Sequence, residues 1–438
     1  MTHLDTRGRA GLPMAHANHR PTVAVVGAGV AGLTAAYLLS RSHAVTLFEA
    51  EPRLGGHAHT QVVSDAAGVA VPIDTGFIVH NDRTYPLLRR LFGELGIATR
   101  PTEMSMSISD RATGIEYAGG RGAAGVFAQR RRIADPRFLS VLGQIARFHR
   151  RATAFLAATD DADLTSLGEF LDDEGFTQEF QRLYAVPLVS CVWSTGSQSS
   201  LQYPARYLFS FLERHGMLSF RDSPRWFTVV GGSQKYVAAI ADRLDHIRTG
   251  RPIRGITRGV DDVRVTDAAG DTASFDRAVI ATHADTALDL LDDADPAEKE
   301  VLSAFQYARN ETVLHTDASL LPRTPRARAS WNFLTSEPTG DDRPAVVSYW
   351  MNRLHGLDSD TQFLVTLNAR ERIDPAAILA VMDYRHPVYD AAAVAAQTRL
   401  AALNTDRTAF AGAYHGWGFH EDGCRAGVAA AAAFGATW

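Results

Sequence analysis

The sequence predicts an α/β fold in which a Rossmann-type nucleotide-binding domain carries an inserted, mixed α+β substrate domain. Three observations predict it. The apolar run Thr22–Val26 passes directly into Gly27-Ala28-Gly29-Val30-Ala31-Gly32. A helical stretch follows, then a second apolar run, Ala44–Phe48, ending on Glu49. At 438 residues the chain exceeds what one hydrophobic core usually supports, so a second domain is expected.

Each part of the opening has a physical task. A short, continuous apolar run is what a parallel strand buried on both faces requires. Gly27 permits the tight turn, Gly29 lets backbone approach a pyrophosphate, and Gly32 lets helix and strand pack closely. The backbone N–H groups of Val30 and Ala31 open the helix, where the dipole favours phosphate. Glu49 stands where an acid can accept hydrogen bonds from ribose hydroxyls. The same glycine spacing recurs at Gly120–Gly125, but no apolar strand precedes it and no acid-terminated strand follows, so a loop is expected there.

Beyond Glu49 the chain reads Ala50-Glu51-Pro52-Arg53-Leu54-Gly55-Gly56-His57. This wording resembles the second signature of the superfamily of flavin amine oxidases, phytoene desaturases and protoporphyrinogen oxidases. The resemblance implies a glutathione reductase 2-like FAD domain, with Ala50, Arg53, Gly55 and Gly56 along the pyrophosphate and ribityl chain. His57 stands where most relatives have arginine. Asp74-Thr75-Gly76-Phe77 is similar to the segment beside the flavin ring, which assigns Thr75, Gly76 and Phe77 to the cofactor. Gly231-Gly232 resembles the turn that re-enters the FAD domain, and Ile253 the residue packing on adenine. Gly412, Phe419 and His420 resemble the C-terminal segment that aims a helix N-terminus at the flavin. That segment lacks the usual acid after its first glycine, where this chain has Ala413. The resemblance gives no covalent attachment residue, so non-covalent FAD is expected. The wording of 74–81, 314–321, 349–356 and 418–423 further resembles a bacterial branch of predicted NAD/FAD-binding oxidoreductases. Members of that branch accompany fatty-acyl methyltransferases.

The resemblance implies a discontinuous FAD domain, 20–85, 226–300 and 395–438, with 86–225 and 301–394 as the substrate domain. Helical spacing marks 137–158, 166–180 and 203–220, and 275–282 reads as a strand returning to the parallel sheet. Residues 1–19 lack an apolar secretory core and are expected to be a disordered leader. Hydrophobic residues make up 46%, charged residues 21%, and the net charge is -5, so no nucleic-acid partner is expected. Arg130-Arg131-Arg132 reads as a solvated turn. Cys191 and Cys424 read as free thiols in a reducing cytoplasm, and no zinc-type spacing appears, so no metal is expected. A cytoplasmic protein is expected, with contact at the inner membrane face left open.

Three chemistries fit these residues. A lipid substrate, fatty-acyl or isoprenoid, would be desaturated or reduced by hydride transfer at flavin N5, in a tunnel lined from Trp193, Phe209, Phe211, Trp226, Trp331, Trp350 and Met351. Amine oxidases of the superfamily hold a lysine near N5 in the strand where this chain has Ala308–Val313. The only lysines, Lys235 and Lys299, lie elsewhere. The third reading is an FAD-dependent binding or assembly factor without catalysis. His420 with Glu421, then His80, are the candidate proton-transfer residues, because histidine titrates near neutral pH. The partners implied are a small-molecule or lipid substrate and an electron donor or acceptor.

Overall fold

The structure, a computed structural model, describes residues 20–219, 223–335 and 346–438. The expected leader and Phe220, the end of one expected helical stretch, lie outside the described residues.

A five-stranded parallel sheet takes its strands from distant parts of the chain, in the order 246–248, 44–48, 22–26, 277–280, 408–410. The central strand pairs in register on both sides, Val23–Val26 with Arg277–Ile280 and with Val45–Phe48. Val23, Ala24 and Val25 are wholly buried, which is why this strand is apolar from Val23 to Val26. On one face lie the helices Val30–Leu39 and His420–Ala433. They approach closely because a side chain at Gly427 would strike the Ala31 carbonyl, so the alanine and glycine content there reflects packing. The other face carries an antiparallel meander, 253–258, 263–267 and 272–275, with Phe275 edge-on to Phe48. The stretch 275–282 is therefore two elements. Phe275 closes the meander, and only Arg277–Ile280 enters the parallel sheet. Asp276, accepting from the backbone and hydroxyl of Thr22, turns the chain between them.

A seven-stranded sheet combines 106–119 with 306–388, in the order 378–388, 306–315, 364–367, 346–350, 331–335, 106–110, 115–119. Its pairs are antiparallel except Met106–Asp110 beside Trp331–Thr335. Helices pack on it around Phe148, Phe170, Phe180 and Phe209. Pro136–Ala158 forms as expected, its N-terminus capped by Asp135. The stretch 166–180 does not form one helix. Leu167–Asp173, opened by a Ser166/Glu169 capping box, stops at Gly175 (φ 62°), and a short turn follows at Gln178–Phe180.

Two further expectations are corrected. Gly120–Gly125 is not a loop: Ile115–Gly119 is a buried strand and Gly122–Val126 a short helix. The strand is antiparallel to Met106–Asp110, so the motif lies outside the parallel sheet. Helix Pro86–Leu95 shares a core with the parallel sheet, and Thr99–Thr102 pairs with Trp226–Val229. A boundary at residue 86 therefore cuts through a packed unit. Among the described residues no helix is long and apolar enough to cross a membrane.

Candidate active site

The C-terminal ends of four parallel strands open onto one cavity of about 590 Å³. Gly27, Glu49, Ala281 and Gly412, each just past its strand, all line it, the location expected for a ligand on an open α/β sheet. Gly27 adopts φ 101°, and any side chain there would strike the Ala281 carbonyl. A side chain at Gly32 would strike the Gly27 carbonyl, whereas one at Gly29 would meet nothing within 4 Å. Gly29 therefore borders open space directly at the helix N-terminus. Val30 and Ala31 line the same space.

Glu49 frames the other side. Its Oε2 accepts from the Ala28 N–H at 2.8 Å and its Oε1 from the Glu51 N–H at 2.9 Å, leaving lone pairs for further donors. Ala50 lines the cavity beside it. Gly56 (φ 56°) packs against Gly29, since a Cβ on it would lie 3.2 Å from the Gly29 Cα. Arg53 and Gly55 do not line the cavity. The Arg53 guanidinium instead donates to the Gly56 carbonyl at 2.8 Å and so holds the glycine turn in place. Ile253 is also outside the lining, packed at the start of the meander.

His57 lines the cavity with a ring centroid 4.9 Å from Tyr384 and 5.2 Å from His386. Burial holds it well below the ordinary histidine range, and its buried Nε2 has no partner among the described residues. Below it runs a closed set of hydrogen bonds. The Gln61 amide donates to His59 Nε2 at 2.8 Å, so neutral His59 carries its proton on Nδ1 and donates to the Tyr384 oxygen at 2.9 Å. Tyr384 then donates to Thr75 Oγ1 at 2.8 Å, and Thr75 to the His59 carbonyl at 3.1 Å. Burial agrees with these states, lowering His59 to about 4 and raising Tyr384 to about 12.

Thr75, Gly76 and Phe77 all line the cavity. Asp74 behind them is wholly buried and accepts from Thr60 Oγ1, Ser233 N and Ser233 Oγ, tying the Gly231-Gly232 turn to this segment. Gly412, Phe419 and His420 line the opposite side. Their loop is pinned by Trp193, whose indole N–H donates to the Trp417 carbonyl at 2.9 Å, and by Tyr207 and Gln397, which donate to the Gly416 carbonyl.

The three candidate proton-transfer residues separate. His420 lines the cavity; its ring stacks on Phe77, its Nε2 is 3.2 Å from the Tyr236 hydroxyl, and burial lowers it to about 3. Glu421 does not reach the cavity. Its carboxylate accepts from the backbone N–H groups of Leu87 and Leu88 at 3.1 and 2.9 Å, capping helix Pro86–Leu95, whose own cap residue Tyr85 supplies no side-chain bond. His80 is buried among the rings of Tyr85, Phe92 and Phe227, outside the lining.

Of the expected apolar wall, Trp193, Phe211, Trp226 and Trp331 line the cavity. Phe209 sits in the helical core, Met351 is wholly buried, and Trp350 bonds Gln362 instead. Sequence reasoning missed Tyr384 and His386, although Met382, Tyr384 and His386 alternate with exposed neighbours on strand Ile378–Val388, a legible period of two. It also missed Ser194, a cavity residue at φ 56° whose strain has no sequence signal. Among the described residues no group of three or more His, Cys, Asp or Glu is placed to hold a metal. Cys191 and Cys424 are both buried and free.

The residues present fit FAD. The glycine cradle leaves room at a helix N-terminus for a pyrophosphate, Glu49 keeps acceptors for a ribose, and His57, which lines the cavity, keeps a buried Nε2 with no partner among the described residues.

The family model for flavin containing amine oxidoreductase matches residues 30–316. A Mycobacterium tuberculosis protein named as the flavin-containing monoamine oxidase AofH is 31% identical over 264 residues, covering 57% of this chain and 54% of that protein. The chain thus spans about half the length of the curated relatives named here. Cyclohexylamine oxidase from Brevibacterium oxydans IH-35A superposes with a TM-score of 0.70 at 17% identity, over 94% of this chain and 98% of that one. A conjugated-linoleic-acid (CLA)-producing fatty acid isomerase from P. acnes does so with 0.67 at 16% identity, over 94% and 98%. At these identities the likeness is one of fold.

Proposed function

Because the chain belongs to the flavin containing amine oxidoreductase family, an enzyme family built around FAD, we propose that it is an FAD-dependent oxidoreductase whose substrate is a lipid, a fatty-acyl or isoprenoid chain that it desaturates or reduces. Bound FAD would supply a hydride acceptor or donor. The protein's part is to hold the cofactor, align an apolar chain against it and exclude water. The glycine cradle and Glu49 would hold the nucleotide, and Phe77, Phe419 and His420 would flank the ring.

The observation carrying the lipid reading is the distribution of charge in the cavity. Among the described lining residues the charged side chains are Glu49, Glu51 and Arg385. Glu49 serves the glycine turn, where Glu51 donates its backbone N–H to it, and Arg385 pairs with Asp285 at 2.6 Å. The wall formed by Met104, Trp193, Phe211, Trp226, Trp331 and Tyr349 contains no carboxylate to receive an ammonium. His215, also in the lining, is held neutral by burial, at about 4. Such a wall suits a hydrocarbon chain and gives a charged amine no counter-ion.

Amine oxidation is the second reading. It draws on the similarity to AofH and on the aromatic wall, which could hold a cation against its ring faces. Fold does not decide between the two, since it is shared with an amine oxidase and with a fatty acid isomerase. Product analysis does. The FAD-loaded protein, incubated with acyl lipids in its oxidised form and again after dithionite reduction, and in its oxidised form with a panel of monoamines, is expected to remove or add two hydrogens on an acyl chain and to release no peroxide from the amines. Amine-dependent peroxide with unaltered lipids would replace the lipid reading by the amine one.

A further inference from the structure

Three segments meet at one corner of the seven-stranded sheet: the turn 111–114, the short helix Arg130–Ala134 and the first turn of Pro136–Ala158. Arg132 joins them, donating to the Thr113 carbonyl at 2.9 Å and pairing with Asp135 at 2.5 Å. Gln129 adds a bond to the Gly114 carbonyl at 2.9 Å. The acids of this corner are already matched: Asp110 pairs with Arg182 at 2.6 Å, and Asp135 caps the long helix.

Four more arginines stand on the same corner. Arg111, Arg130, Arg131 and Arg137 are exposed, and among the described residues none has a carboxylate within ion-pair distance. In a chain of net charge -5 this is a local excess of positive charge. Two aliphatic side chains project among them, Ile133 at 56% and Leu139 at 42% exposure. A solvated turn accounts for the arginines alone but leaves the two aliphatics unexplained.

We propose that this corner docks on the surface of an anionic phospholipid bilayer. Arg111, Arg130, Arg131 and Arg137 would meet headgroup phosphates while Ile133 and Leu139 enter the interface. A membrane is favoured over nucleic acid because phosphate backbones reward the arginines but not exposed aliphatics beside them. The attachment is peripheral. It is independent of the substrate reading, since it rests on a surface outside the cavity.

The test is co-sedimentation of the FAD-loaded protein with phosphatidylcholine vesicles, with and without phosphatidylglycerol. Binding is expected only when phosphatidylglycerol is present, and it should weaken as salt is added. The double substitution Arg130→Ser/Arg131→Ser should lower partitioning by roughly 30-fold, and Ile133→Ser by roughly tenfold at unchanged charge. Arg264→Ser, which removes an exposed arginine from the meander, should leave it unchanged. All three replace exposed side chains, and wild-type flavin content and thermal unfolding are confirmed first. Equal binding to neutral vesicles, no binding to either, indifference to the substitutions, or equally tight binding to duplex DNA would each overturn the proposal.

Discussion

The rings of Phe77 and His420 stack face to face, with centroids 3.8 Å apart and planes 13° from parallel. One belongs to the segment after the Asp74 turn and the other opens the C-terminal helix, so the stack closes the cavity where two distant parts of the chain meet. It also sets what His420 can do. A ring held neutral to about pH 3 by burial, with Nε2 beside the Tyr236 hydroxyl, does not change charge near neutral pH.

We therefore expect His420 to position its neighbours rather than to transfer a proton. His420→Gln, which keeps an acceptor for Tyr236, is expected to slow flavin reduction by less than about tenfold. The acid limb of the pH–rate profile should not move. Loss of that limb in the variant would show that His420 titrates during turnover.

The glycine cradle separates binding from folding. Gly29 has ordinary dihedrals (φ -70°) and open space beside it, so Gly29→Ala should leave the apoprotein as stable as wild type while its methyl crowds the pyrophosphate. FAD affinity should fall by at least about tenfold. Gly32→Ala would drive a methyl into the Gly27 carbonyl and should destabilise the apoprotein by several kcal/mol. Fluorescence titration with FAD and thermal unfolding, run on both variants, check the contrast.

Glu421 acts as a cap for a neighbouring helix. Glu421→Ala removes the acceptor for the Leu87 and Leu88 N–H groups and should cost about 2 kcal/mol, lowering the melting temperature by about 2 °C. The KM for substrate should stay within about twofold. A large KM change with unaltered stability would return Glu421 to the active site.

Buried histidines set the acid limit of stability. His59, His80, His283, His386 and His415 are lowered by burial from 6.5 to about 4, and His420 to about 3. The unfolded chain binds protons at these groups below 6.5 while the folded chain does not until about 4. Stability therefore falls as pH drops through that window, and these groups add no pH dependence above it. The melting temperature should be nearly flat above about pH 7 and fall by roughly 10 °C or more by about pH 4.5. A melting temperature that holds through that range would contradict the buried, neutral assignment.

What could be read from the sequence was whatever local chemistry specifies. Gly27 to Glu49 reads correctly because a strand, a glycine turn and an acid must follow one another within one βαβ unit. Cavity residues from Thr75 to Phe77 and at Phe419 and His420 were legible only through the family's wording, since nothing local tells a flavin wall from a core. Glu421 was misplaced because its partners, Leu87 and Leu88, lie 333–334 residues away in sequence. Arg53 was expected on phosphate, but it satisfies the Gly56 carbonyl three residues on, a choice that depends on how the glycine turn folds back. Gly120–Gly125 misled in the other direction: the strand before it carries Glu116 and Tyr117 yet is buried, because the helix Gly122–Val126 and the turn Pro325–Ala327 pack against this edge of the sheet.

The most direct test of the central claim is anaerobic absorbance of the bound flavin. Two mixtures are followed: oxidised protein with saturated or branched acyl lipids, and dithionite-reduced protein with their unsaturated counterparts. A hydride-transferring lipid enzyme predicts bleaching in the first case or recovery of the oxidised band in the second, with no response to monoamines. Bleaching by a monoamine, with neither lipid mixture changing the flavin, would contradict it.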